Sequence, residues 1–182
     1  RIKDIVNNLL VFSRQKSTRK VDHDINDLIE KTLDNVRSQA TKQGVVVETD
    51  LASNLPRVNI NLEQMQQVIL NLVFNALDAM SGGGRLLIRT QAFKQGVRIH
   101  VIDSGEGVSS DIAGDIFAPF FTTKEVGRGT GLGLSISHGI VQDHGGTIEL
   151  VSSPGEGAHF VISLPPPHRQ PPGRAMETGG AG

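Results

Sequence analysis

Between residues 103 and 130 the hydrophobic periodicity of this chain stops and glycine becomes frequent, while the segments on either side are periodic. A stretch of more than about 15 residues without periodicity inside a compact domain is usually functional. It constrains everything around it, because the flanking elements must share one core that holds the loop at its end. Upstream, residues 85–93 and 97–102 alternate with period two around Lys94-Gln95-Gly96 and read as a hairpin. Downstream, residues 132 to about 144 read as a helix. Strands over 147–151 and 159–164 follow, joined through Ser153-Pro154-Gly155-Glu156-Gly157.

The earlier half supplies the rest of a core. In residues 1–16, Ile2, Ile5, Leu9 and Phe12 recur at helical spacing, with Val6 and Leu10 widening the stripe. That stripe expects a partner helix, a second copy of itself, or a fold-back onto its own domain. Residues 17–20 are polar and basic and read as a linker, and residues 21–25 as a short edge strand. Asn26 is a candidate N-cap for a helix to about residue 43 that buries Ile29, Leu33, Val36 and Ala40, with Gly44 as its stop. Residues 45–51 read as a strand and Asn54-Leu55-Pro56 as a turn. Asn61 with Gln64 fits a capping box opening a helix to about residue 80, which Gly82-Gly83-Gly84 ends. From residue 165 onward the chain is rich in Pro and Gly without periodicity, and a disordered tail is expected over 165–182. This mixture predicts an α+β fold: a two-layer sandwich of one mixed, mostly antiparallel sheet with helices on one face.

Composition excludes several chemistries. The 18 basic and 19 acidic residues give a formal net charge of -1, which offers no footprint for nucleic acid or an anionic membrane. There is no cysteine, so disulfides, thiolate nucleophiles and cysteine-ligated metals are ruled out. No apolar run approaches the roughly 18 residues of a membrane span. The chain opens on Arg1-Ile2-Lys3-Asp4, which reads as a cut through a helix of a longer protein. With no Tyr or Trp and 21 Gly, a site built largely from backbone is expected.

Four clusters carry chemistry. Asn71, Asn75 and Asp78 share one face of the helix over 62–80, where they form either a solvated stripe or an oxygen-rich surface for Mg²⁺ and phosphate. Asp103-Ser104-Gly105-Glu106-Gly107 directly follows a strand. It is either a tight turn or a carboxylate placed for an exocyclic amine such as that of adenine. Phe117, Phe120 and Phe121 precede Thr122, Thr123 and Lys124. The aromatics read as a hydrophobic latch and the lysine as a phosphate-seeking charge. In Gly127-Arg128-Gly129-Thr130-Gly131-Leu132-Gly133, alternating glycines lead into a helix start, an anion-binding arrangement. No Gly-Lys-Ser/Thr follows, and no parallel βαβ unit surrounds it, so neither the P-loop nor the dinucleotide fingerprint applies.

Their order resembles the N, G1, F and G2 boxes of bacterial sensor histidine kinases, carried by residues 71–79, 103–107, 117–124 and 127–133. Gly155-Glu156-Gly157-Ala158-His159-Phe160 resembles that family's closing glycine turn. Leu9-Leu10-Val11-Phe12-Ser13-Arg14 is similar to the end of the second dimerisation helix. The resemblance covers residues 1–164 and implies the ATP-binding Bergerat fold over 21–164, with the tail of the dimerisation and phosphoacceptor domain over 1–16. It implies that Asn75 holds Mg²⁺, that Asn71 and Lys124 assist at the triphosphate, and that Asp78 belongs to the same site. Asp103, Gly105 and Gly107 would meet the adenine. Residues 117–130, including Phe117, Thr122, Thr123, Gly129 and Thr130, would lie over ATP. Gly131, Leu132 and Gly133 would receive the phosphates at the helix start.

In the related hydrolytic ATPases a Glu stands four residues before the metal Asn and activates water. Here that position is Asn71, and an amide is no general base, which favours transfer to a side chain over hydrolysis. The expected partners are ATP, the chain's own phosphoacceptor domain, a response regulator and a second copy in the full-length dimer. The expected setting is the cytoplasmic part of a bacterial kinase, membrane-anchored or soluble. None of the six histidines (23, 100, 138, 144, 159, 168) is a convincing acceptor: His23-Asp24 matches in type but follows the helix. This chain is therefore expected to bind ATP without phosphorylating itself. His144 reads as a helix-end residue and His100 as solvated on the sheet. Two rivals stand beside the kinase: an anti-sigma-type serine kinase and a nucleotide-gated interaction module.

Overall fold

The period-two pattern becomes β4 (Gly84–Phe93) and β5 (Gly96–Asp103), paired antiparallel from Leu86↔Asp103 to Phe93↔Gly96. Their two-residue turn holds Lys94 and Gln95 at φ 47° and 68°, both left-handed as the strand twist requires. The computed structural model describes residues 19–124, 129–152 and 155–167. The helix expected over 1–16, Gly127, Arg128, Ser153, Pro154 and the tail beyond 167 lie outside the described residues.

The elements before the hairpin are β1 (Val21–His23), α1 (Ile25–Lys42), β2 (Val45–Leu51), β3 (Val58–Ile60) and α2 (Leu62–Ala79). After it come α3 (Ser110–Ala113), α4 (Gly133–Asp143), β6 (Thr147–Ser152) and β7 (Ala158–Leu164). Five strands form one sheet in the order β2-β4-β5-β7-β6, with β2 parallel to β4 and the other pairs antiparallel. The expected mixed, mostly antiparallel sheet is therefore present, but it is not alone. β1 and β3 make a separate two-stranded sheet, Val21↔Ile60 to His23↔Val58. A three-residue strand is too short to show alternation, which is why β3 was not expected.

Alternation along the strands turns one sheet face toward the helices. Leu86 and Ile88, Val97, Ile99 and Val101, and Phe160, Ile162 and Leu164 are all buried. Against them α1 packs Ile25, Ile29, Leu33, Val36 and Ala40, and α2 packs Met65, Ile69, Leu72, Val73 and Leu77. Burying each of these Val, Leu, Ile, Met and Phe side chains stabilises the fold by about 1.5–3 kcal/mol before the entropy of ordering it.

Two local expectations are corrected. The N-cap of α1 is Asp24, whose carboxylate accepts from Asn26 N–H at 2.9 Å. Asn26 instead ties α1 to the sheet, donating to Ala52 O at 3.0 Å and accepting from Thr90 Oγ1 at 2.9 Å. His100 is half-buried rather than freely solvated: its Nδ1 lies 2.8 Å from His159 Nε2, and its own Nε2 is buried with no partner among the described residues. Burial holds both imidazoles below the usual histidine range, helped at His100 by the charges of His159, Arg89 and Arg98 and at His159 by that of Arg89.

Candidate functional site

Helical spacing places Asn71, Asn75 and Asp78 side by side on α2, flanking its buried stripe. Asn71 faces α4: its Nδ2 donates to Gly133 O at 3.1 Å and to the buried Ser137 Oγ at 3.2 Å. Lys124 reaches across from the loop, with Nζ 2.5 Å from Asp78 Oδ2 and 3.4 Å from Asn75 Oδ1. The pair is exposed and so contributes little to stability. It does show that the oxygens of Asn75 and Asp78 together attract a cation.

Opposite stands Asp103 at the end of β5, 4% exposed. Its Oδ1 accepts from Gly105 N–H at 2.9 Å and from Ala158 N–H at 3.1 Å. Burial raises its carboxyl above the usual aspartate range, and the two N–H groups only partly counter this. The other oxygen has no protein partner among the described residues, so the site offers a buried acceptor. Gly157 makes this packing possible, since a Cβ there would lie 1.9 Å from Asp103 O.

A cavity of about 1010 Å³ connects these groups. Asn71, Asn75, Asp78, Asp103, Gly107, Thr122, Thr123, Lys124, Gly129, Thr130, Gly131 and Gly133 all line it. Gly105, Phe117 and Leu132 do not. Gly105 holds Asp103 through its N–H. Phe117 packs on the core and on His138, ring centroids 5.3 Å apart. Leu132 is the residue preceding α4.

At the other end of the cavity, α4 starts without a side-chain cap, unlike α1, α2 and α3, which Asp24, Asn61 and Ser109 cap. Its first N–H groups are thus free of a capping side chain and carry the positive end of the helix dipole. The loop is pinned just before this point. Phe120 N–H donates to Gly131 O at 2.9 Å, and Gly131 sits at φ 65° so close that a Cβ would lie 2.3 Å from Phe120 C. The expected three-Phe latch is corrected to two: Phe117 and Phe121 pack on the core, while Phe120, at φ 67°, is 74% exposed.

The sequence reading missed Gln67, Phe74, Glu106 and Ala158 in the lining. Gln67 could have been found by extending the Asn71–Asn75 stripe back one turn. Phe74, Glu106 and Ala158 lie inside the singled-out segments 71–79, 103–107 and 155–160, but nothing in their residue type marks them as lining, and only the fold turns them to the cavity. Among the described residues no cluster of His, Asp or Glu could hold a metal by itself. The arrangement joins a buried carboxylate acceptor at one end of the cavity to a lysine and an uncapped helix start at the other.

Residues 60–168 match the family described as histidine kinase-, DNA gyrase B-, and HSP90-like ATPases. The sensor histidine kinase ZraS of Escherichia coli (strain K12) is 35% identical over 165 residues, 91% of this chain, and this chain spans 35% of that relative's length. Among solved structures, full-length ShkA in complex with AMPPNP superposes with a TM-score of 0.78 at 28% identity, covering 89% of this chain and 35% of ShkA. The histidine kinase ThkA in complex with the response regulator TrrA superposes with a TM-score of 0.75 at 28% identity, covering 90% of this chain and 47% of ThkA.

Proposed function

The chain belongs to the family of histidine kinase-, DNA gyrase B-, and HSP90-like ATPases, and from that premise we propose that it is the ATP-binding catalytic domain of a sensor histidine kinase. The whole protein would transfer the γ-phosphate of ATP to a histidine on a separate helix, for relay to a response-regulator aspartate. The observation that supports this best is the single cavity running from Asp103 to the uncapped start of α4, past Asn75 and Lys124.

In this reading Asp103 accepts the adenine amine and Gly107 lines the wall near the base. The N–H groups at Gly131 and Gly133 receive phosphate oxygens. Lys124 leaves Asp78 for the phosphates, where its point charge offsets the charge that builds during transfer. The Asn75 and Asp78 oxygens already hold an ammonium, which fits a hard cation. Asn75 would therefore hold Mg²⁺, with most remaining ligands being phosphate and water; when bound, the ion neutralises phosphate charge. Asn71 has no lone pair basic enough to activate water, so the site positions ATP and leaves the nucleophile to the incoming imidazole.

The proposed partners are the chain's own phosphoacceptor domain, a response regulator and a second copy in the full-length protein. Among the described residues no helix is long and apolar enough to cross a membrane; we place this domain in the cytoplasm. The test is γ-labelled ATP with the isolated chain, alone and with its acceptor-helix domain supplied in trans. Label on a histidine of the added domain is the expected result. Label on serine favours the anti-sigma-type kinase, and binding without label favours the interaction module. Stable label on the chain alone contradicts the expectation that its acceptor lies elsewhere.

A further inference from the structure

The far end of α4 is held as firmly as its start is open. His144, only 6% exposed, follows the helix and makes two bonds through its ring. Nε2 lies 2.9 Å from the backbone N of Asn61, and Nδ1 lies 2.7 Å from Ile140 O. A peptide N–H only donates and a peptide carbonyl only accepts. Nε2 must therefore be bare and Nδ1 must carry the proton, so the ring is neutral in one defined tautomer.

Asn61 is the N-cap of α2, with its side chain accepting from Gln64 N–H at 3.0 Å. The expected capping box is thus half local. The arm that would satisfy the Asn61 N–H comes from His144, 83 positions away. α2 and α4 run antiparallel: Gly133 and Ser137, early in α4, meet Asn71, while His144 at its end meets Asn61. Asn61 and Asn71 are about 15 Å apart along α2 at 1.5 Å per residue. α4 is therefore joined at its start to the middle of α2 and at its end to the α2 N-cap. One joint, at Asn71, belongs to the nucleotide site itself. The other touches no part of it.

We propose that His144 is a positioning residue for nucleotide binding: its Nε2 fastens the end of α4 to the start of α2 and so sets how Asn71 and Asn75 face the α4 N-terminus. This rests on the nucleotide reading given above. Two helices joined at one point can pivot about it, and a second joint 15 Å off (roughly, by helical rise) removes that freedom. Lys20, in the segment read as the linker, adds a tie at the same end by donating to Asp143 O.

The two bonds of the ring separate a positioning role from a merely capping one. Asn at 144 can reproduce the Nδ1–H to Ile140 O but not the reach to Asn61. Gln can reproduce the Nε2 acceptor but not the local cap. Calorimetric titration with the magnesium complex of a non-hydrolysable ATP analogue, on variants checked for fold by circular dichroism, distinguishes them. His144→Gln is expected to bind within about threefold of wild type and His144→Asn about tenfold more weakly. Equal binding by His144→Asn and wild type, or equal weakening in both variants, overturns the proposal. Should His144→Asn fail to fold, the wild-type chain still decides: the Asn61 amide and His144 ring ¹⁵N resonances are expected to shift on adding the analogue, and their constancy overturns the proposal. A wild-type chain that binds no nucleotide overturns the function proposed above together with this inference. Binding by wild type with no loss in His144→Asn overturns this inference alone.

Discussion

The two ends of α4 are built by opposite rules. At Gly133 the helix starts with no side-chain cap, beside a loop pinned by the Phe120–Gly131 contact. At His144 it stops on Gly145 at φ 71°, with the His144 ring bonded twice and Lys20 on the Asp143 carbonyl. A helix end that is to receive a ligand keeps donors free of internal partners. An end that only supports it satisfies nearly everything internally. Asp103 resembles the open end: it is buried, its carboxyl is raised in pKa, and one oxygen has no protein partner among the described residues.

The largest effect is expected from Asp103→Asn. The Asn carbonyl can keep the Gly105 and Ala158 N–H bonds, while its NH₂ faces an amine where a carboxylate faced one before. ATP affinity should fall about 100-fold, and the thermal midpoint should hold or rise because a buried charge is gone. Calorimetry and thermal melts on one sample test both halves. A midpoint that drops alongside affinity would make Asp103 a structural residue.

Gly131→Ala comes next. Its Cβ meets the Phe120 backbone at 2.3 Å, and its φ of 65° disfavours a side chain. We expect the loop to shift, ATP binding to weaken about tenfold, and stability to drop by about 1–3 kcal/mol. Denaturant titration with and without nucleotide would show whether the loss is confined to the open end.

Gly145→Ala is the matching change at the closed end. There the space is adequate, with Pro165 Cγ at 3.5 Å, and only the positive φ of 71° is strained. A loss of about 1 kcal/mol in stability with unchanged ATP affinity is expected. If affinity falls as it does for Gly131→Ala, the distinction between the ends is wrong.

The smallest effect is that of pH. Burial lowers His100, His144 and His159 from an ordinary 6.5, so the unfolded chain takes up protons first as pH falls below that value, and stability declines with it. Asp103 works the other way. Its folded carboxyl binds a proton above the ordinary 3.8, so acidification relieves the folded state. Denaturant midpoints followed downward from pH 7 toward the ordinary aspartate range should therefore show a modest loss in wild type and a steeper one in Asp103→Asn. An equal slope in both would mean that Asp103 does not titrate in this range.

Local pattern determined a great deal here. The buried stripe Ile29-Leu33-Val36-Ala40, the alternation of the β4–β5 hairpin, the Asn61 cap and the Gly44 stop all depend on neighbours within four residues, where periodicity and dihedral preference speak. The polar stripe of α2 and the glycines before α4 were legible for the same reason, and so twelve of the expected site residues line one cavity. Tertiary structure alone decided the rest. Asp24 replaced Asn26 as cap because Thr90 and Ala52, far along the chain, claim the Asn26 side chain. The three-residue β3 exists only because β1 pairs with it. His100 is half-buried because His159 stands beside it on the neighbouring strand. Only the fold could show the bond from Asn61 to His144, since a hydrogen bond across 83 positions leaves no mark on either residue's local sequence.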